Sequence, residues 1–181
     1  MLEPIYAYIA GMVGIVIYVI YSRKHKLPDK RIITMVLFLL YMTAVVSLTL
    51  FPLIYDRTFS SGSDILENRL KLIPFEVISR MLCHSLPVHA VVQIGGNLLM
   101  TIPFGVFVPY LFGSKMPKPK KLFYIILAFA FPFMIEFSQF LISFVFGTFY
   151  RTADIDDVIL NSTGVFIGYG LYMIIRKVRK K

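Results

Sequence analysis

Charged side chains are scarce in this sequence. Only 16% of the 181 residues are Asp, Glu, Lys or Arg, whereas 57% are hydrophobic, and the mean hydropathy is +0.75. A soluble domain carries about 25% charged residues, so the polar side chains here are too few to cover a soluble globule. The single cysteine, Cys83, excludes an internal disulfide and any metal site built from several cysteines. The length suits one domain, which we expect to cover residues 1–181.

The net charge of +9 does not predict nucleic-acid binding. The basic residues stand in three short clusters between apolar runs, and neither a recognition helix nor an aromatic RNA-binding signature is present in the sequence. We therefore expect no nucleic-acid partner.

Five apolar segments approach the length of about 20 residues that a helix needs to cross a bilayer. We expect the first to be a retained span rather than a cleaved signal peptide, because its basic residues follow the apolar run. The predicted fold class is all-α, a polytopic membrane helix bundle with five transmembrane helices. The predicted spans are 5–21, 32–54, 88–112, 122–146 and 155–175.

The basic residues also predict the orientation of the chain. Fourteen of the nineteen Lys and Arg residues lie in the segments 23–31, 115–121 and 176–181, which share one side of the membrane if there are five spans. Because cytoplasmic loops are enriched in Lys and Arg, we predict an N-terminus outside and a basic tail, 176–181, in the cytoplasm. The same segments suit contact with anionic lipid.

The longest connection, 55–87, is then external. Within it, Leu72-Ile73-Pro74-Phe75 predicts the start of a short helix with Pro74 at the first helical position. Phe75, Ile78 and Leu82 share one face of that helix. This pattern predicts an amphipathic or re-entrant helix at the outer surface; a loop helix packed on the spans is the alternative.

Polar side chains inside the spans form three stripes at helical spacing. An unpaired polar group in hydrocarbon is energetically unfavourable, so we expect the side chains of each stripe to have hydrogen-bonding or charged partners. Gly96 borders the first stripe and is expected to allow a close approach, while Gly164 and Gly168 have the spacing of tightly packed helices. The stripes are Gln93, Asn97 and Thr101; Glu136, Gln139 and Ser143; and Asp157, Asn161, Gly164 and Gly168.

With the predicted orientation, all three stripes lie in the outer half of the membrane. Glu136 is ten residues before Phe146 and hence about 15 Å from the outer end of its helix. Asp154 suits the N-cap of the last helix, and Arg151 is the expected counter-charge for Glu136 or Asp157. We predict one outward-opening polar pocket between the last three spans; a buried network without a ligand is the alternative.

Four stretches in a fixed order resemble the VanZ-like family of bacterial membrane proteins, over about residues 72–172. The resemblance implies a multi-pass protein of the bacterial cytoplasmic membrane with a role at the cell envelope. The family's name-giving member is linked to low-level resistance to the glycopeptide antibiotic teicoplanin. The stretches are Leu72-Ile73-Pro74-Phe75, Gly96-Asn97 through Pro103-Phe104-Gly105, Glu136-Phe137-Ser138-Gln139, and Arg151 through Asp156-Asp157 to Asn161, Gly164, Gly168 and Tyr169.

Two hypotheses of different class follow. In the favoured one, the pocket binds a membrane lipid or a lipid-linked cell-wall precursor, and Arg151 pairs with its phosphate or carboxylate. Such binding would lower susceptibility to teicoplanin by changing how much precursor the antibiotic meets. The predicted ligand-binding residues are Gln93, Asn97, Gln139, Asp154 and Asn161.

In the alternative, the chain is a membrane-embedded hydrolase or transferase. Glu136 acts as general acid or base, and Asp157 and Arg151 complete the catalytic set. A divalent cation bound by Asp154, Asp157 and Glu136 is a hypothesis that the sequence leaves open. The sequence contains no nucleophile motif or phosphate loop, identifies no cofactor and does not indicate an oligomeric state. A structural subunit and a transporter are further alternatives.

Overall fold

The computed structural model describes residues 3–52, 70–84, 87–114, 116–146 and 152–179. Within these ranges the chain forms six helices and one pair of two-residue strands. Five of the helices are long and apolar enough to cross a membrane, which confirms the all-α fold class and the five spans. The elements are α1 (Ile5–Lys24), α2 (Asp29–Leu50), β1 (Leu70–Lys71), α3 (Glu76–His84), α4 (Pro87–Phe112), α5 (Lys120–Phe146), β2 (Ala153–Asp154) and α6 (Ile155–Val178).

The predicted second span, 32–54, is too long at its C-terminal end. Helix α2 ends at Leu50, and Phe51 is already extended, with φ −109° and ψ 157°. Phe51 precedes Pro52, and the ring of a proline disfavours the helical conformation in the residue before it. Residues 53 and 54 lie outside the described ranges.

Contacts divide the chain into two units, Met1–Ile54 and Tyr55–Lys181. In the first unit α1 packs against α2. Their closest approach is at Gly11, where a Cβ atom would overlap the side chain of Thr43. The Thr43 hydroxyl donates to the Leu39 carbonyl at 2.9 Å, so this polar group of α2 is satisfied within its own helix.

In the second unit, α4 and α6 approach until their backbones touch. A Cβ atom at Gly168 would overlap the Ile102 carbonyl, and one at Gly105 would overlap the Val165 carbonyl. At Gly164 it would meet Thr101. The predicted tight packing through Gly164 and Gly168 is therefore confirmed.

The close approach predicted at Gly96 is wrong for the part of the chain that the structure describes. No described atom lies within 4 Å of a Cβ built at Gly96. The contact occurs further along α4, at Gly105, because this glycine lies level with Gly168 of α6.

A short helix is present after Pro74, but it does not begin there. Helix α3 begins at Glu76, and Phe75 has a positive φ of 65° that is incompatible with a helix start at Pro74. Helix α3 contacts α4 and α6. Just before it, β1 pairs in parallel with β2, with Leu70 opposite Ala153 and Lys71 opposite Asp154. Whether α3 lies outside the membrane or enters it stays a prediction.

The glycine contacts predict a position-specific effect of a single methyl group. We expect Gly168→Ala to lower the free energy of unfolding by about 1–3 kcal/mol, because its Cβ must displace backbone atoms of α4. Gly170→Ala is the matched control on the same helix, since nothing described lies within 4 Å of its added Cβ. Thermal unfolding in detergent measures both variants, and an equal effect of the two would contradict the packing.

The predicted orientation is testable through the native cysteine. Cys83 is exposed on α3, so a membrane-impermeant maleimide should label it in intact cells if that side is external. The control is Lys24→Cys in a Cys83→Ala background, which places the thiol in a basic connection and should react only after permeabilisation. Labelling of Cys83 that also requires permeabilisation would reverse the orientation.

Candidate functional site

The site is organised by an acidic turn, Asp154–Asp157, where β2 passes into α6. Asp154 is the N-cap of α6, and its Oδ1 accepts from the Asp156 N–H at 2.9 Å, which confirms the predicted cap. Burial raises the pKa of Asp154 above its ordinary value, while the hydrogen bond from the Asp156 amide opposes that shift. Because consecutive residues point in different directions, the carboxylates that follow contact different elements.

Asp156 contacts the start of α3. Its side chain is 1% exposed, and its two oxygens accept three backbone N–H groups. Oδ1 accepts from Phe75 at 2.5 Å, and Oδ2 accepts from Val77 at 2.9 Å and from Ile78 at 3.0 Å. The first N–H groups of a helix have no partner within it, so a carboxylate from α6 caps α3 across about 80 residues of sequence.

Asp156 is absent from the predicted site residues, although it stands inside one of the quoted motifs. Two signals were available in the sequence: a third carboxylate beside Asp154 and Asp157, and a helix start after Pro74 without a local capping residue. They did not suffice, because no periodicity rule connects residues this far apart.

Asp157 points toward α4. It accepts from the Asn97 side-chain amide at 2.5 Å, and the Gln93 amide is within hydrogen-bonding range of the same carboxylate. One turn deeper, the hydroxyl of fully buried Thr101 donates to the backbone carbonyl of Asn161 at 2.7 Å. The Asn161 side-chain oxygen is buried without a hydrogen-bond partner among the described residues. The stripes of α4 and α6 thus meet, as the spacing predicts.

Glu136 approaches the acidic turn from α5. Its side chain is 5% exposed, and Oε2 accepts the backbone N–H of Asp154 at 3.1 Å. Gln139 and Ser143 are buried further along the same helix. Glu136 is ten residues before Phe146, so the strand leading into α6 lies level with a point about 15 Å from the end of α5.

The predicted residues therefore form two groups that share the acidic turn. Glu136 and Asp154 meet on the α5 side, whereas Asp157, Asn97 and Gln93 meet on the α4 side, with Asn161 one turn deeper. Arg151 lies outside the described residues.

The cation site considered for Asp154, Asp157 and Glu136 is not formed. Among the described residues no three His, Cys, Asp or Glu side chains are grouped to hold a metal ion. The physical reason is that Asp154 caps its own helix and Asp157 turns toward Asn97, away from Glu136.

A cavity of about 270 Å³ lies beside Glu136 and Asp154. Both acidic residues are 5% exposed, so they form its inner wall. The outer wall is apolar: Leu72, Phe133 and Phe137 are 64%, 60% and 51% exposed. The lining residues are Leu70, Leu72, Phe133, Glu136, Phe137, Phe140, Ala153, Asp154, Ile155 and Val158.

Five helices long and apolar enough to cross a membrane define a multi-spanning membrane protein. The chain belongs to the VanZ/LLP1 family, whose model matches residues 38–176. The match includes all four motifs of the sequence resemblance and begins within α2. No curated protein and no solved structure matches the chain.

The contact between Asp157 and Asn97 predicts a non-additive pair of substitutions. Asn97→Leu and Asp157→Leu should each destabilise the protein by about 1–3 kcal/mol, because each leaves a buried polar partner unsatisfied. The double variant should recover part of that loss, since it removes both side chains of the pair and leaves only Gln93 without its acceptor. Chemical unfolding in mixed micelles measures the cycle, and simple additivity would show that the two side chains do not interact.

Proposed function

We propose that the cavity beside Glu136 and Asp154 binds the head group of a membrane amphiphile, either a lipid or a lipid-linked cell-wall precursor. The observation that carries this proposal is the pairing of a buried acidic wall with an exposed apolar wall in one cavity. A molecule that is polar at one end and apolar along the rest matches both walls. It would enter sideways from the bilayer, with its chain against Phe133, Phe137 and Leu72.

The size of the cavity supports a head group rather than a whole lipid. A volume of about 270 Å³ is slightly below the range of about 300–1,000 Å³ that is usual for small-molecule pockets. Acyl or prenyl chains therefore remain outside, on the exposed aromatic surface of α5. Such a division lets apolar contact supply affinity, while Glu136 and Asp154 would accept hydrogen bonds from hydroxyl, amide or ammonium groups of the head group and Arg151 would pair with its phosphate.

Arg151 keeps its proposed role as the partner of a phosphate or carboxylate on the ligand. It lies three residues before Asp154, the first residue of the acidic turn. Gln139 and Ser143 are buried on the Glu136 face of α5 and lie outside the cavity lining, so they would support the position of Glu136. The cluster of Asp157, Asn97 and Gln93 would support the turn from the other side.

The charge distribution assigns the cavity to the external leaflet, with the C-terminus in the bacterial cytoplasm. Cell-wall precursors are assembled on lipid carriers and act outside, so a protein that holds them there would change how much precursor a glycopeptide meets. Reduced teicoplanin susceptibility is proposed on this basis, supported by the family resemblance alone.

Catalysis stays the alternative hypothesis, with Glu136 and Asp157 as its acid–base pair. An acid–base pair needs both carboxylates at one reacting centre. The described contacts of Glu136 and Asp157 lead to different groups, the Asp154 amide and the Asn97 side chain. We therefore assign binding rather than a reaction to the cavity.

The proposal predicts which exposed side chains of α5 contribute to lipid binding. Undecaprenyl phosphate and phosphatidylglycerol would be added to purified protein, and bound lipid measured by native mass spectrometry. Phe133→Ala with Phe137→Ala should weaken binding about tenfold, equal to about 1.4 kcal/mol. Met134→Ala with Val145→Ala is the matched control, because both side chains are similarly exposed on α5 but lie outside the cavity lining.

Glu136→Gln in the same assay tests the acidic wall. We expect the ratio of bound undecaprenyl phosphate to bound phosphatidylglycerol to differ from that of the wild type. The reason is that the variant keeps the shape of the side chain but removes its charge. Equal binding by the aromatic and control variants would contradict the proposal, as would the absence of either lipid from the wild-type protein.

A further inference from the structure

We propose that Asp156 is a positioning residue that holds one wall of the amphiphile cavity by fixing the turn before α3. The part of this inference that concerns ligand binding rests on the proposed function of the cavity. Its structural part, the anchoring of the turn, stands on the contacts of Asp156 alone. Asp156 itself is not among the residues that line the cavity.

The anchoring uses both oxygens of one carboxylate. Three backbone N–H groups, from Phe75, Val77 and Ile78, converge on a side chain that is almost completely buried. Hydrogen bonds to an ionised acceptor are about twice as strong as neutral ones. Helix α3 has nine residues, too few to be stable alone, so its position depends on such external contacts.

The turn needs an anchor because its backbone is in an unfavourable conformation. Phe75 has φ 65°, in the left-handed region that bulky residues rarely adopt. Its own N–H donates to Asp156 Oδ1 at 2.5 Å. Without that bond, Phe75 would relax toward an extended conformation and redirect the residues that precede it.

Those preceding residues form part of the cavity. Leu70 and Leu72 line it, and they lie five and three residues before Phe75, respectively. The pairing of β1 with β2 also supports this segment, and that pair is two residues long. A strand pair of this length is too short to persist by itself. The wall is therefore fixed at two points, the strand pair and Asp156.

Neither neighbouring carboxylate can replace Asp156. Asp154 accepts the Asp156 amide, and Asp157 accepts the Asn97 side chain. In Asp156→Asn one of the two oxygens becomes an NH₂ group that faces a backbone N–H. Whichever way the amide is turned, Phe75 or the pair Val77 and Ile78 loses its acceptor.

The first measurement is hydrogen exchange in the full-length protein. In Asp156→Asn the amides of residues 75–78 should exchange at least tenfold faster, whereas those of α4 should not change. Asp29→Asn is the matched control, because Asp29 also begins a helix but is exposed and pairs with Arg23. Unchanged exchange at 75–78 would overturn the anchoring.

The second measurement is binding of undecaprenyl phosphate and phosphatidylglycerol, which should fall about tenfold in Asp156→Asn. A rescue separates positioning from general damage: Leu70→Cys with Ala153→Cys in a Cys83→Ala background. These two residues are opposite each other in the strand pair, about 4.8 Å apart, which suits a disulfide. The cross-link should restore binding while exchange at residues 75–78 stays fast. The same cross-link with Asp156 retained is the reference.

The outcomes distinguish the two proposals. Fast exchange with unchanged lipid binding, or a cross-link that restores nothing, would overturn the positioning role. A wild-type protein that binds neither lipid would refute the proposed function. The anchoring by Asp156 would then be judged from the hydrogen-exchange data alone. If the Asp156→Asn variant does not accumulate, hydrogen exchange in the wild-type protein tests the anchoring. Exchange at residues 75–78 as fast as in an unfolded chain would overturn it.

Discussion

Backbone N–H groups outside the helices set the main constraint on this protein. A membrane interior offers no water to satisfy them, so non-helical backbone at that depth needs acceptors from the protein. Here the acceptors are carboxylates: Asp156 accepts the N–H of Phe75 and two N–H groups of the first turn of α3, and Glu136 accepts that of Asp154. Without these contacts, neither the turn nor the strand pair would have a defined place beside α5.

The close packing of α4 and α6 makes this arrangement geometrically possible. Glycines at 105, 164 and 168 let the two backbones touch. That distance brings Asn97 within 2.5 Å of Asp157 and places the Thr101 hydroxyl on the Asn161 carbonyl. The direction of α6 is thereby fixed against α4, and the acidic turn at its start points toward α3 and α5. The hydrogen bonds between α4 and α6 thus support the acidic turn from one side, and the cavity lies on its other side.

The cavity joins this scaffold to the lipid. Its inner wall contains the two buried acids, and its outer wall contains the exposed aromatic side chains of Phe133 and Phe137. Large apolar side chains on a membrane protein's surface need no explanation by themselves. Apolar side chains and buried carboxylates that line the same cavity do need an explanation, because an ionisable group inside a membrane usually marks function.

The spans, the stripes and the cap of the last helix follow from local rules. Hydropathy and length define the five helices, helical spacing aligns Asn97 with Thr101, and an aspartate before a helical run is a natural N-cap. The partner of each carboxylate does not follow from such rules. Asp154, Asp156 and Asp157 are nearly adjacent in sequence, yet they contact their own helix, α3 and α4.

The direction in which each carboxylate points depends on the angle at which helices pack, and that angle is a property of side chains brought together from distant segments. The same reason explains why Gly105, and not Gly96, lies at the contact with α6. Periodicity assigns a residue to a face of its helix. Only the packed fold determines which neighbour that face meets.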